Sequence, residues 1–113
     1  MALVDSNVTQ CHCGQCRRTS GHVWAAVHGH KNKLHFHNDE GLTWYKSSDW
    51  AKRGFCAQCG ASLFWEMEGR DDFSIAAGCL EDGIGLKTVK HIFVKDKGDY
   101  YDITCQAEQI EAY

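Results

Sequence analysis

Short segments of β-branched and aromatic residues recur along the chain, and they are separated mostly by Gly and Asx residues because Pro is absent. Such punctuated segments are typical of a meandering β-protein. Helix signals are weak, since only Ser47 or Ser48 before Asp49–Lys52 and the segment Arg17–Gly21 allow even a single turn. The pattern predicts strands near Val23–His28, Lys33–His37, Leu42–Lys46, Arg53–Cys56, Ala61–Glu66, Phe73–Ala77, Val89–Val94 and Tyr100–Ile103.

Composition and charge narrow the class of protein. The 113 residues are 43% hydrophobic, which predicts one globular domain over residues 1–113. No apolar run approaches the roughly 18 residues of a membrane span and no targeting signal is visible, so we expect a cytoplasmic protein without a membrane partner. The net charge of −3, with basic residues clustered only in pairs, argues against nucleic acid as a partner.

Seven cysteines are present, an odd number, and five of them fall in two tight groups. Disulfides within such short spacings would be strained, whereas a metal ion requires several sulfurs in one small sphere. The spacing therefore favours metal ligation in a reducing compartment. The two groups are Cys11, Cys13 and Cys16, and Cys56 and Cys59.

The first group offers three thiol ligands within six residues. Gly14 is expected to supply the backbone freedom that curls the loop around an ion. Three thiolates with an open fourth position would favour thiol chemistry at zinc over activation of water. Alternatively His12, another His or an acidic side chain completes a closed site that only stabilises the fold.

The second group lies in a CxxCG turn, the usual form of a zinc knuckle at the tip of a β-hairpin. One knuckle supplies two thiolates, and the sequence offers no second pair. Cys79 and Cys105 are isolated, and each is expected to be a small buried or inert residue rather than a ligand. Cys56 and Cys59 would then form a metal-free pair, hold a partly His-ligated metal, or join the first group.

Four segments carry a resemblance to a known family: CHCGQCRRTSG at Cys11–Gly21, and the stretches Trp44–Trp65, Ser74–Asp82 and His91–Ile103. Together they resemble the glutathione-dependent formaldehyde-activating enzymes, a family that also includes centromere protein V-like proteins. The resemblance implies an all-β, Mss4-like fold of several short, curled antiparallel sheets with two zinc sites. It also implies that Cys11, Cys13 and Cys16 hold the catalytic zinc, and that Cys56 and Cys59 are half of the structural site.

The other half of that structural site is, in the family, a CxC pair on an N-terminal hairpin that this sequence lacks. Its absence predicts a weakened second metal site and an exposed sheet edge through which a homodimer could form. A truncated gene model or a fragment would also be compatible with the pattern.

Other polar residues are candidates for weaker roles. Arg17 or Arg18 could hold a carboxylate of a glutathione-like substrate, or both could lie in a solvated basic turn. Trp50 beside Asp49 is a candidate wall of the zinc pocket. One strand face could carry four imidazoles, and it would either take up a divalent ion or remain a solvated polar face; these are His28, His30, His35 and His37.

The sequence therefore predicts a zinc-dependent carbon–sulfur lyase-type enzyme. It would add a small thiol such as glutathione to an aldehyde such as formaldehyde, in the manner of an S-hydroxymethylglutathione synthase. The alternative is a zinc-stabilised binding or scaffold module without turnover.

Overall fold

A computed structural model describes residues 6–36 and 38–113 of the chain. Its α-helix, α1, spans Gly14–Ser20, and short 3₁₀ turns cover Lys31–Lys33, Ala77–Cys79 and Val94–Asp96. None of the helices in the described residues is long and apolar enough to cross a membrane. The strands are β1 (Asn7–Cys11), β2 (Trp24–His30), β3 (Leu42–Lys46), β4 (Ala51–Cys56), β5 (Ser62–Met67), β6 (Asp72–Ala76), β7 (Lys87–Ile92) and β8 (Glu108–Gln109).

The strands form one sheet in the order β3-β4-β5-β6-β2-β1-β7-β8. This confirms the predicted all-β class. The strands do not divide into several antiparallel sheets, however, because β7 pairs in parallel with both β1 and β8 and joins the two ends of the chain into a single sheet. In the part of the chain that the structure describes, the sheet edges are β3 and β8.

Two predicted strands are absent. Residues 100–103 are irregular because Lys97 Nζ binds the carbonyls of Gly98 and Tyr101 at 2.9 and 2.5 Å, so this backbone is engaged locally. Lys33 ends a 3₁₀ turn that is closed by the bond from Leu34 N to the Lys31 carbonyl, and residues 34–36 are irregular. The predicted end of that strand, His37, lies outside the described residues.

The sequence pattern also missed two strands and misplaced a turn. β1 is mostly polar (NVTQC), yet it lies between β2 and β7, where Val8 is buried. β8 has only two residues, both exposed, so no alternation could reveal it. The helical turn expected at Asp49–Lys52 does not form, because Ala51 already begins β4 opposite Met67.

The alternation of side chains along β2 divides the interior into two clusters. Ala25 and Val27 face the main hydrophobic core, whereas Trp24 and Ala26 face a second cluster that contains Cys11 and Cys16. Successive residues of a strand point to opposite faces, so one strand contributes to both clusters. The buried residues of the main core are Val8, Val27, Phe64, Phe73 and Ile75.

The predicted four-histidine face does not form as expected. His28 and His30 are exposed on β2, and the neighbours of β2 are β1 and β6 rather than a hairpin that carries His35. His35 lies exposed in the irregular segment after the 3₁₀ turn.

Candidate metal centre

The end of β1 and the start of α1 bring three thiols together. The sulfur atoms of Cys11, Cys13 and Cys16 all lie within 4.8 Å of one another. Cys11 and Cys16 are buried and Cys13 is half-buried. The structure therefore brings together the three residues that the sequence singled out, in a geometry that could hold one metal ion.

The loop curls because a helix begins inside it. Cys13 caps α1, where its sulfur accepts a hydrogen bond from Cys16 N at 3.3 Å and its carbonyl accepts one from Arg17 N at 2.9 Å. Gly14 is the first helical residue and is not among the residues with a positive φ. The expected role of Gly14 was therefore wrong, and the start of the helix turns the chain.

The protonation of the three thiols is unequal. Hydrogen bonds from the thiols of Cys11 and Cys16, followed by backbone N–H groups, lower the pKa of Cys13 to about 2. The Cys13 sulfur and burial raise the pKa of Cys11. For Cys16, the contact with Cys11 lowers the pKa, but the contact with Cys13 and burial outweigh it and the net pKa is raised.

These pKa directions describe one thiolate that accepts hydrogen bonds from two thiols. A divalent cation among the sulfurs would favour loss of the remaining protons, as thiolate ligation requires. Thiolate sulfurs are soft donors, which zinc binds well and which magnesium and calcium do not favour. The donor set thus fits zinc.

His12 does not complete this site. Its ring is 1% exposed, and both nitrogens have other partners: Nδ1 lies 2.7 Å from the Tyr101 hydroxyl and Nε2 lies 2.9 Å from His91 Nδ1. Burial, followed by the charge of His91, lowers the pKa of His12 to about 4. No further His, Cys, Asp or Glu of the described residues joins the three sulfurs.

Arg53 is a functional candidate that the sequence analysis missed. It is 6% exposed on β4, and its Nε and Nη2 donate to Gln15 Oε1 at 2.9 and 2.7 Å. Nη2 also donates to the Cys16 sulfur at 3.4 Å. Its position in the strand that leads into the CxxC turn was visible in the sequence, but its contact with a distant thiol depends on tertiary structure.

Two buried donors next to the thiols have no hydrogen-bond partner among the described residues. They are Arg53 Nη1 and Trp24 Nε1, and the guanidinium lies 5.6 Å from the Trp24 ring centroid. Buried polar groups usually have partners. These donors therefore mark a place where a polar ligand atom would be accommodated.

The two arginines that the sequence suggested lie differently. Arg17 Nε donates to the carbonyl of His12 at 3.3 Å, so this side chain supports the loop backbone. Arg18 is exposed and lies beside Gly14. Within the described residues, Arg53 is the arginine hydrogen-bonded to a thiol of the group.

Aromatic side chains shield the thiol group, but Trp50 does so only indirectly. Trp24 and Trp65 pack in the cluster with Cys11 and Cys16. Trp50 is 53% exposed and contacts Trp65 edge to face, with ring centroids 6.0 Å apart. Trp50 and Asp49 line a separate groove whose lining contains no cysteine.

Cys56 ends β4 and Cys59 lies in the turn that follows it, and both are outside the three-thiol group. Cys56 is half-buried and Cys59 is exposed. Hydrogen bonds from the backbone N–H groups of Cys59 and Gln58, and then from the Cys59 thiol, lower the pKa of Cys56. The possibility that these two thiols join the first group is thus not realised.

A family model for the glutathione-dependent formaldehyde-activating enzyme matches residues 2–96. The chain belongs to this family. "Uncharacterized lyase C29B12.13" of Schizosaccharomyces pombe is 27% identical over 105 residues, which cover 88% of this chain and 73% of that protein. A crystal structure of a Rhodobacter sphaeroides protein has a similar fold, with a TM-score of 0.60 and 24% identity over 74% of this chain and 78% of that one.

Proposed function

We propose that this family member is a zinc-dependent carbon–sulfur lyase-type enzyme that adds a small thiol such as glutathione to an aldehyde such as formaldehyde. The single observation that carries the proposal is the three-thiol group with the buried Arg53 guanidinium bonded to one of its sulfurs. The family match supports the thiol and aldehyde classes, and the name of the yeast relative supports the lyase class.

In this proposal Cys11, Cys13 and Cys16 hold the ion. Zinc held there would supply the Lewis acidity that lowers the pKa of a small thiol and keeps its thiolate nucleophilic. The sulfur of that thiol forms a bond to the aldehyde carbon, the π bond of the carbonyl group breaks, and the oxygen takes up a proton in place of the one that the thiol lost. The spontaneous addition is already easy, so positioning and thiolate activation need to supply only a modest acceleration.

Arg53 would act on the charge of this site. Three thiolates and one Zn²⁺ carry a net charge of about −1, which the neighbouring guanidinium offsets. Gln15 and the Cys16 sulfur fix Nε and Nη2, and Nη1 remains as a donor for the oxygen on which negative charge develops. Trp24 and Trp65 would limit the access of water, which strengthens this interaction.

Arg18 remains a candidate for a substrate carboxylate, since it is exposed and lies beside the first turn of α1. Arg17 is the weaker candidate, because its Nε already binds the His12 carbonyl. Substitution of Arg18 by Gln should raise KM for glutathione with little change in kcat. The same substitution at exposed Lys33 is the control.

Exchange spectroscopy with ¹³C-formaldehyde and glutathione tests the reaction directly. The protein should accelerate formation of the hydroxymethyl adduct, and Cys13→Ser should return the rate to that of the spontaneous reaction. A wild-type rate in Cys13→Ser would contradict the mechanism.

Cobalt substitution distinguishes the proposed enzyme from the alternative, a scaffold module without turnover. An open, substrate-facing site should change its visible spectrum when glutathione is added. An unchanged spectrum, together with no acceleration, would favour a metal-stabilised scaffold instead.

A further inference from the structure

A second chain of polar side chains lies beyond the thiol group and ends in an exposed cysteine. Tyr101 binds His12, His12 binds His91, and His91 Nε2 lies 3.0 Å from the Cys105 sulfur. His91 is 3% exposed, whereas Cys105 is exposed to solvent. Cys105 also lies outside residues 2–96, which match the family model.

Tyr101 fixes the far end of this chain through two hydrogen bonds. The hydroxyl oxygen accepts from Gly98 N at 3.3 Å, and a backbone N–H can only donate. The hydroxyl proton is therefore available for His12 Nδ1, 2.7 Å away. Burial raises the pKa of Tyr101, which keeps that proton on the hydroxyl.

Both imidazoles lie between Tyr101 and Cys105. His12 Nε2 lies 2.9 Å from His91 Nδ1, so His12 holds the His91 ring in place. That orientation places His91 Nε2 3.0 Å from the Cys105 sulfur. A thiol within hydrogen-bond reach of an imidazole that a third group orients has the arrangement of a nucleophile and its base.

We propose that Cys105 is a second nucleophilic thiol, paired with His91, and that it is a modification site for low-molecular-weight disulfides. His12 and Tyr101 are positioning residues that act through His91, as the third group of a nucleophile and base pair does. This proposal does not depend on the zinc chemistry of the three-thiol group.

The step is a thiol–disulfide exchange. The Cys105 thiolate attacks one sulfur of the disulfide, the S–S bond of the small molecule breaks, and a new S–S bond to Cys105 forms. The other half leaves as a thiolate and is protonated by water. Cys105 is oxidised and the leaving sulfur is reduced, so the small disulfide is the only oxidant required.

Alkylation kinetics on the zinc-loaded protein measure the nucleophilicity. Trypsin releases residues 98–113 and 71–87 as separate peptides, which contain Cys105 and Cys79 as their respective single cysteines. Cys79 is also exposed, but its thiol faces the Ser62 carbonyl at 3.9 Å rather than a histidine. With limiting iodoacetamide at pH 7, Cys105 should react about tenfold faster than Cys79.

Variants provide the decisive comparison, because desolvation of the sulfur raises the pKa of Cys79 and slows its reaction. Tyr101→Phe removes only the terminal hydroxyl and should slow Cys105 several-fold, and His91→Gln should slow it further. Tyr100→Phe is the matched control, since its hydroxyl binds exposed His22 at 2.7 Å and it should leave the Cys105 rate unchanged. Rates that are equal for Cys105 and Cys79, or a Cys105 rate insensitive to Tyr101→Phe, would overturn the proposal.

Oxidised glutathione tests the ligand class. Incubation should place one glutathionyl group on the 98–113 peptide before the 71–87 peptide, and dithiothreitol should remove it. Preferential modification of the 71–87 peptide would overturn the assignment of Cys105 as the disulfide-reactive thiol.

Discussion

The two cysteine groups share a CxxC spacing, yet the structure surrounds them differently. Cys13 and Cys16 lie at the start of a helix, with Cys11 as a third sulfur, Arg53 as a buried cation and tryptophans as a cover. Cys56 and Cys59 lie at a hairpin tip, where Cys59 is exposed. The same spacing therefore specifies a preformed three-ligand site in one place and a pair of accessible thiols in the other.

The difference shows that the third ligand and the surrounding shell determine what a CxxC motif can do. Two thiols alone leave half of a tetrahedral sphere to other donors. A third sulfur and hydrogen bonds to the sulfurs raise affinity and restrict orientation. We therefore expect metal affinity and thiol chemistry to be concentrated at the first group.

The largest expected effect is on metal content. Cys16→Ser should abolish tight zinc binding at the first group, because only two sulfurs remain, whereas Cys59→Ser should leave that zinc in place. Elemental analysis of dialysed protein measures zinc per chain in each variant. Equal zinc loss from both variants would show that the two groups do not differ in the way the geometry indicates.

Arg53→Met tests the cation next to Cys16. It removes the bonds to Gln15 and to the Cys16 sulfur, so zinc affinity or thiol-adduct activity should fall roughly 10- to 100-fold. Competition with a chromogenic chelator measures the affinity. Lys52→Met is the control, since Lys52 is exposed and its Nζ lies 4.0 Å from Glu66 Oε1. Wild-type zinc affinity and activity in Arg53→Met would show that Arg53 has no role in the site.

The sequence allowed the thiol group to be predicted because its three cysteines are close along the chain. Local spacing constrains where such side chains can lie, whatever the rest of the fold does. Arg53 could not be predicted in this way, because it lies 37 residues from Cys16 and reaches it only when β4 joins the sheet. The His12 and His91 pair depends in the same way on the parallel pairing of β1 with β7.

The prediction of strands also depended on how close their partners lie along the chain. β3 was predicted at Leu42–Lys46 and is observed there, because its alternation and its antiparallel partner β4 are nearby in sequence. β1 was missed because its residues are largely polar and its partners are distant. Residues 34–36 and 100–103 have strand-like composition, but local hydrogen bonds and side-chain contacts override that preference.

Acid should destabilise the fold through His91, whose buried imidazole contacts His12 beside the first cysteine group. Burial lowers the pKa of His91 below its ordinary value of 6.5, so the unfolded chain binds a proton that the folded chain does not. This contribution to stability is present above about pH 6.5 and is lost as the pH falls below it. Urea unfolding at pH 7.5 and 5.5 should show a smaller decrease in stability for His91→Gln than for wild type.

His28→Gln is the matched control for that pH effect, since His28 is exposed on β2. Its stability should decrease between pH 7.5 and 5.5 as much as that of wild type. If His91→Gln and His28→Gln show the same decrease, buried imidazoles do not contribute to the acid sensitivity.

The smallest expected effect concerns two glycines, one for each cysteine group. Gly21 ends α1 with φ 87° and Gly60 closes the CxxC turn with φ 81°, and an added Cβ would meet no atom within 4 Å at either position. Alanine at either site should therefore cost about 1 kcal/mol through backbone strain alone, a Tm decrease of about 4 °C. Only Gly21→Ala should also speed removal of zinc by a chelator, because α1 carries Cys16 and Gly21 N donates to the Arg17 carbonyl at 2.8 Å at the end of that helix. Equal rates of zinc removal in the two variants would mean that the helix does not hold the first cysteine group together.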